Sequence, residues 1–177
     1  MVEVLDLRFK EYISEEKIQE RVKAIAAELN LKYAGKDPLF LGILNGSFMF
    51  IADIFKHVNI PCEVSFIKIN SYVNTSSTEK IRELIGLNQS LEGRYVVVLE
   101  DIVDTGRTLD YILKTLAERN PASVEVATLL FKPSALVIPI KIDYVGFEIE
   151  NQFVLGYGLD YNGYGRNHNS ILIKVEE

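Results

Sequence analysis

The stretch VVVLEDIVDTGRTL, residues 96–109, constrains the fold more than any other part of the chain. Three valines and a leucine in succession read as a strand buried on both faces, the pattern of a parallel sheet covered by helices. The strand is expected over 95–100. A helix follows almost at once, with Leu109, Ile112, Leu113, Leu116 and Ala117 recurring on one face. It should stop near Asn120-Pro121, because the residue before a proline disfavours helical backbone. A buried strand feeding directly into a helix is half of a βαβ unit. The connection between them carries three carboxylates, Glu100, Asp101 and Asp104, then Thr105, Gly106, Arg107 and Thr108. A solvated turn needs far less.

The same alternation runs along most of the chain. Ser14 followed by Glu15 and Glu16 predicts a helix start, with a capping hydroxyl and acids against the positive helix end. Ile18, Val22, Ile25, Ala26 and Leu29 continue at helical spacing. LFLGIL (39–44) predicts a buried strand, Asn45, Gly46 and Ser47 a turn, and FMFIADIFKH a second helix. CEVSFIKI (62–69) predicts a strand, residues 70–78 a polar loop, 81–85 a short strand and 86–94 a turn. Further strands are expected at 124–131 and 144–149. Strands alternating with helices imply an α/β fold built on a mostly parallel sheet. The last 30 residues, rich in Gly, Tyr and Asn, break that rhythm. There is no repeat and no linker-like segment, so residues 1–177 are expected to form a single domain.

A chain of 177 residues can bury roughly 70% of the surface its unfolded form exposes, so a core is available without staples. The net charge of −6 and a pI near 5.1 argue against a duplex nucleic-acid binder, which shows a basic face. The single cysteine, Cys62, excludes an internal disulfide and is expected to be a buried small hydrophobe. His57 and His168 suggest no metal site and are expected at the surface or at helix ends. The first residues, MVEVLDLRFKEY, show no basic and apolar leader pattern. No apolar stretch approaches the roughly 18 residues of a membrane span. A cytoplasmic enzyme or binding protein is expected.

In open parallel sheets, ligands bind beyond the carboxyl ends of the strands. Residues 105–108 can offer backbone N–H groups and two hydroxyls there, and Gly106 lets the backbone close tightly. The helix N-terminus adds about half a positive charge. This describes a phosphate cradle that matches neither GxxxxGK[ST] nor GxGxxG. Glu100 and Asp101 would repel a phosphate, but they suit neutral hydroxyls or a divalent cation with oxygen ligands. Together the two halves describe a ribose 5-phosphate.

VVVLEDIVDTGRTL closely resembles the signature of the type I phosphoribosyltransferases, which bind 5-phosphoribosyl 1-pyrophosphate (PRPP). GILNGSFMFIADI, SYVNTSST and VGFEIENQFVLGYGLDYNGYGRN are similar, in the same order, to segments of the hypoxanthine-guanine branch of that family. These segments cover most of residues 40–167. The resemblance implies a parallel-sheet core, about 15–131, flanked by helices, and a small hood built from the N-terminal segment and about 133–177. It implies a purine salvage enzyme joining hypoxanthine or guanine to PRPP, with Mg²⁺ as cofactor and a homo-oligomer, dimer or tetramer, as the assembly. Neither nucleic acid nor membrane is an expected partner.

The resemblance also assigns roles. Glu100 and Asp101 hold the ribose hydroxyls, directly or through Mg²⁺, and Thr105, Gly106, Arg107 and Thr108 hold the 5′-phosphate. Asp104 faces N7 of the purine as the proton-transfer group. Lys132 donates to the 6-oxo group, and Phe153, 21 residues later as the family spacing requires, stacks on the base. Val154 and Asp160 present backbone carbonyls to the base edge, and Asp160 joins Glu100 and Asp101 as a metal residue. Leu44, Asn45, Gly46 and Ser47 form the pyrophosphate loop, with a cis peptide between the first two, and Arg166 grips the pyrophosphate. Ser71 and Tyr72 open a loop that closes over the site. The chain departs from the family at Asn45, where a lysine is usual, and in the glycine-rich run 163–165. The rival readings are a xanthine- or adenine-preferring relative and a PRPP-sensing regulator that binds nucleic acid. A donor at Lys132 mismatches the 6-amino group of adenine, and the −6 charge disfavours the regulator.

Overall fold

The computed structural model describes residues 1–72 and 80–175, with 70–72 and 80–85 described by backbone alone. Six strands form the larger sheet: β3 (Leu39–Leu44), β4 (Glu63–Tyr72), β5 (Lys80–Ile85), β6 (Tyr95–Val103), β7 (Ser123–Phe131) and β8 (Tyr144–Glu148). Their order is β5-β4-β3-β6-β7-β8. All are parallel except the edge strand β5, which runs antiparallel to β4. The smaller sheet is antiparallel, in the order β1 (Val2–Val4), β2 (Leu7–Ile13), β10 (Ile171–Lys174), β9 (Val154–Leu155).

Helices cover both faces of the larger sheet, as a sheet of continuous apolar strands requires. Successive strand residues point to opposite faces. Phe40, Val97 and Leu99 therefore pack with Ile18, Val22, Ile25 and Leu29 of α1 (Glu15–Tyr33) and with Phe50 and Ile54 of α2 (Phe48–Phe55). Their neighbours Leu39, Leu41, Val96 and Val98 pack with Leu109, Ile112 and Leu116 of α3 (Arg107–Ala117) on the other face.

Several boundaries differ from the sequence reading. Strand β6 runs to Val103, because its register with β7 continues through Val103↔Phe131; Glu100 and Asp101 therefore belong to the strand and not to the turn. Strand β4 likewise reaches Tyr72, so Ser71 and Tyr72 lie in a strand, paired with Ile81 and Lys80. The rest of the expected 70–78 loop, from residue 73, is outside the described residues. Strand β8 joins the larger sheet beside β7, so the boundary between the two sheets falls after Glu148 and not near residue 133. Ser14 sits at the N-cap of α1 but makes no capping hydrogen bond; its hydroxyl meets the Glu16 carboxylate, which lowers that group's pKa. Cys62 is half-buried, because it precedes β4 instead of lying within the strand.

Candidate active site

Strand β3 pairs with β6 only as far as Gly42↔Leu99. Beyond that point the chain leaves β3 for α2 on one face, and it leaves β6 for α3 on the other. Loops departing in opposite directions open a crevice at the carboxyl ends of the strands, the usual place for a ligand in such a sheet. The phosphate cradle, the acidic pair and the 44–47 loop all lie at this crevice.

On the β6 side, a cavity of about 180 Å³ is lined by Glu100 to Gly106, Thr108 and Leu109. Thr105, Arg107 and Thr108 are exposed, and Gly106 is buried. Gly106 is the N-cap of α3 with φ 80°, a left-handed conformation that favours glycine. The N–H groups of the first helical turn lack intrahelical acceptors by the geometry of a helix start. The turn is held from behind: the Thr105 carbonyl accepts from Val137 N–H (3.0 Å) and Ile138 N–H (3.2 Å).

Asp101 is buried and accepts from the Ile102 N–H at 2.8 Å. One carboxylate oxygen of Glu100 is buried without a hydrogen-bond partner. Burial, followed by the charge of Asp101, pushes the Glu100 carboxyl well above the usual carboxylate range. Burial also raises Asp101, although Arg166 nearby opposes the shift. The 44–47 loop presses on this pair: a Cβ added to Gly46 would stand 1.5 Å from Asp101 Oδ2. The Leu44–Asn45 peptide is cis, as the resemblance implied. Asn45 is exposed, and buried Ser47 donates its hydroxyl to the Ile43 carbonyl.

Lys132 follows β7, and its backbone N–H donates to Val103 O at 2.9 Å. This brings its side chain, 9% exposed, to Asp104, with Nζ and Oδ2 3.1 Å apart. The smaller sheet contributes Phe153, whose ring is half exposed and held by Phe9 (centroids 6.2 Å apart) and edge-on by Tyr161 (5.7 Å). Val154 is buried in β9. Arg166 donates to the Gly158 carbonyl at 2.6 Å and pairs with Asp160 at 2.6 Å, while the other Asp160 oxygen accepts from Gly163 N–H at 2.7 Å. Asp160 thus has both oxygens engaged. Among the described residues no three acidic, histidine or cysteine side chains converge as a metal-binding group. The three carboxylates expected around one cation are divided between an acidic pair and an arginine clamp.

The sequence reading missed Tyr157, Gly158 and Asp53. A Cβ on Gly158 would lie 2.0 Å from the Gly46 carbonyl oxygen, so the second sheet's loop rests directly on the 44–47 loop. Asp53 carries the only charge in the apolar helix FMFIADIF. Such a carboxylate must find partners if it is buried, and that was the available signal.

A phosphoribosyl transferase domain model matches residues 10–162. The hypoxanthine-guanine phosphoribosyltransferase of Bacillus subtilis (strain 168) is 43% identical over 159 residues, 89% of this chain and 88% of that protein. A bifunctional TilS/HprT protein of Listeria monocytogenes serotype 4b (strain F2365) is also 43% identical over 159 residues; this chain covers 24% of its length, about a quarter. The crystal structure of a hypoxanthine phosphoribosyltransferase from Staphylococcus aureus superposes with a TM-score of 0.90 at 36% identity, covering 96% of this chain and 92% of that one.

Proposed function

Since the chain belongs to the phosphoribosyl transferase domain family, we propose that it transfers the 5-phosphoribosyl group of PRPP to hypoxanthine or guanine, releasing pyrophosphate. The observation that carries this reading is the Asp104–Lys132 pair. It stands at the ends of adjacent strands, directly beside the phosphate cradle and within a family whose similar members are named for these two bases. A lysine ammonium only donates, so it matches a 6-oxo group and mismatches the 6-amino group of adenine. A carboxylate only accepts, so it suits the N–H of the base.

In the reaction, N9 of the purine bonds to C1′ of the ribose as the bond from C1′ to the pyrophosphate oxygen breaks. The bonding pair leaves with pyrophosphate, and the proton shed by the base passes to Asp104 as general base. The cradle 105–108 anchors the 5′-phosphate. The 44–47 loop and Arg166 receive the pyrophosphate, and Phe153 offers a ring face to the base. Val154 and Asp160 supply backbone carbonyls at the base edge, able to accept from the 2-amino group of guanine.

Glu100 and Asp101 fit a hard cation, since a buried carboxylate oxygen without a partner stands beside a second buried carboxylate. Mg²⁺ keeps few protein ligands and takes the rest from water and phosphate, so two carboxylates suffice to hold it. When bound it supplies counter-charge to the polyanionic substrate. The family resemblance supports a homo-oligomer in the cytoplasm. Among the described residues no helix is long and apolar enough to cross a membrane.

The test is conversion of radiolabelled hypoxanthine, guanine, xanthine and adenine with PRPP and Mg²⁺. Nucleotide is expected from hypoxanthine and guanine and not from adenine. Absence of product from both 6-oxo bases would overturn the proposal.

A further inference from the structure

We infer that Asp53 is a positioning residue for the pyrophosphate side of the site, acting through the hydroxyl of Tyr157; this rests on the activity proposed above. Asp53 lies on α2 and is 7% exposed. Its Oδ2 accepts from the Tyr157 hydroxyl at 2.6 Å and from the Gln19 side-chain amide, and its Oδ1 pairs with Lys56 at 2.6 Å. One carboxylate therefore joins α1, α2 and the loop of the smaller sheet. Burial opposes its charge, but the donors Lys56, Tyr157 and Gln19 outweigh burial and hold its pKa below the usual value. It is an ionised acceptor, so each of these hydrogen bonds is charge-assisted.

Tyr157 is the middle of three consecutive left-handed residues, with φ 96° at Gly156, 48° at Tyr157 and 97° at Gly158. For tyrosine this conformation is strained and persists only where the surroundings impose it. The turn is closed by reciprocal backbone bonds between Gly156 and Leu159, 3.1 Å each, and Tyr157 is held further by its hydroxyl bond to Asp53 and by a backbone bond from its N–H to His168 O at 2.7 Å. The consequence falls on the next residue. Gly158 sits against the Gly46 carbonyl, donates its N–H to Arg166 O at 2.9 Å, and accepts from the Arg166 guanidinium.

The contacts close a ring. The 44–47 loop leads into α2, α2 carries Asp53, Asp53 holds Tyr157, and Tyr157 sets Gly158 back against Gly46. The ring fixes the distance between the loop and Arg166, the two parts that receive the pyrophosphate. Of the side chains proposed to face the base, Lys132, Asp104 and Phe153 lie off it, and Asp160 touches it only through its carboxylate, paired with Arg166. Lys132 and Asp104 are set by the ends of β7 and β6, and Phe153 by Phe9 and Tyr161. Loosening the ring should therefore harm one substrate and spare the other.

The test is Tyr157→Phe, which removes only the hydroxyl, alongside Asp53→Asn and the double variant. The expected result in Tyr157→Phe is a rise of at least about 10-fold in KM for PRPP, and for pyrophosphate in the reverse reaction, the lower end of the range for a hydrogen bond to a charged group. KM for hypoxanthine should stay within about twofold. The double variant should be little worse than the more affected single variant, as expected for partners in one interaction. Equal rises in both forward KM values, unchanged KM values with only a lower Tm, or additive effects would each overturn the positioning role. If Tyr157→Phe does not fold, Asp53→Asn, which keeps the side-chain shape, carries the same KM comparison. Wild-type protein without turnover refutes the activity itself, whereas an active wild type with unselective variants refutes only this inference.

Discussion

Gly46→Ala tests the crevice most directly. The added Cβ would lie 1.5 Å from Asp101 Oδ2 and 2.5 Å from Asp101 Cγ, whereas real Cβ contacts stay beyond 3.0 Å. Either the carboxylate or the loop must therefore give way by about 1.5 Å, the difference between those two limits. Asp101 cannot swing freely, because it is buried and accepts from the Ile102 N–H. If the loop moves instead, it meets Gly158, whose own added Cβ would stand 2.0 Å from the Gly46 carbonyl. Overpacking of this kind costs about 1–3 kcal/mol of folding stability. At about 2–4 °C per kcal/mol for a chain of this size, the protein should still fold at room temperature. The functional loss should be larger than a general weakening, because displacing a reacting site by about 1 Å can cost roughly 10²-fold. The expected result is a fall of about 10²-fold in kcat/KM for PRPP, equivalent to about 2.7 kcal/mol, with a modest drop in Tm. Steady-state kinetics with each substrate varied, together with a thermal melt, measure both. A folded Gly46→Ala protein with kcat/KM within about threefold of wild type would refute the claim that this contact shapes the working site.

Lys132→Gln should remove most activity on hypoxanthine and guanine while narrowing discrimination against adenine, because an amide accepts as well as donates; wild-type efficiency on hypoxanthine would place the 6-oxo contact elsewhere. Thr105→Ala and Thr108→Ala should each weaken PRPP binding by about 1.5–3 kcal/mol, the range for hydrogen bonds to a charged group, and isothermal titration showing unchanged affinity would remove these side chains from the cradle. Activity should vanish in excess chelator and return with Mg²⁺ or Mn²⁺, since Glu100 and Asp101 would otherwise face a polyanion uncompensated; full turnover in chelator would exclude the metal role.

The elements of the larger sheet were legible because their signals are local. LFLGIL predicted β3 to the residue, and of the five residues that periodicity placed on the inner face of α3, Leu109, Ile112 and Leu116 are buried, Leu113 is half-buried and Ala117, at the helix end, is exposed. The connection from β6 to α3 was legible for the same reason, since strand, acids, glycine and helix start follow one another within 14 residues. Sequence spacing said much less about what comes from far away. The resemblance put residues from about 133 onward in the hood, yet the pairing of β8 places it in the core sheet. The partner that Asp160 finds in this structure, Arg166 six positions later, likewise could not be read from spacing. The Asp53–Tyr157 bond spans 104 positions, and only the lone charge in an apolar helix hinted that some partner must exist.

The Asp104–Lys132 contact has a consequence for how the two base-side groups act. Lys132 is nearly buried and Asp104 remains 44% exposed, so the pair is a solvent-screened attraction for the acid but the principal counter-charge for the lysine. Asp104, proposed as the proton acceptor, is therefore also the group that makes a buried ammonium tolerable. Replacing it by asparagine keeps an acceptor near Nζ but removes the charge. Turnover should fall by about 10²–10⁴-fold, the contribution of a positioned acid–base group. Part of that loss should appear as weaker base binding through a less well held Lys132. The two roles separate in a cycle of Asp104→Asn and Lys132→Gln. If proton transfer is the whole contribution of Asp104, the effects on hypoxanthine KM add. If Asp104 also holds the lysine, the second substitution costs less in KM once the first is made, because residues in contact do not contribute independently. Additive KM effects in single-turnover measurements, with binding determined separately, would show that the pairing plays no part in recognising the base.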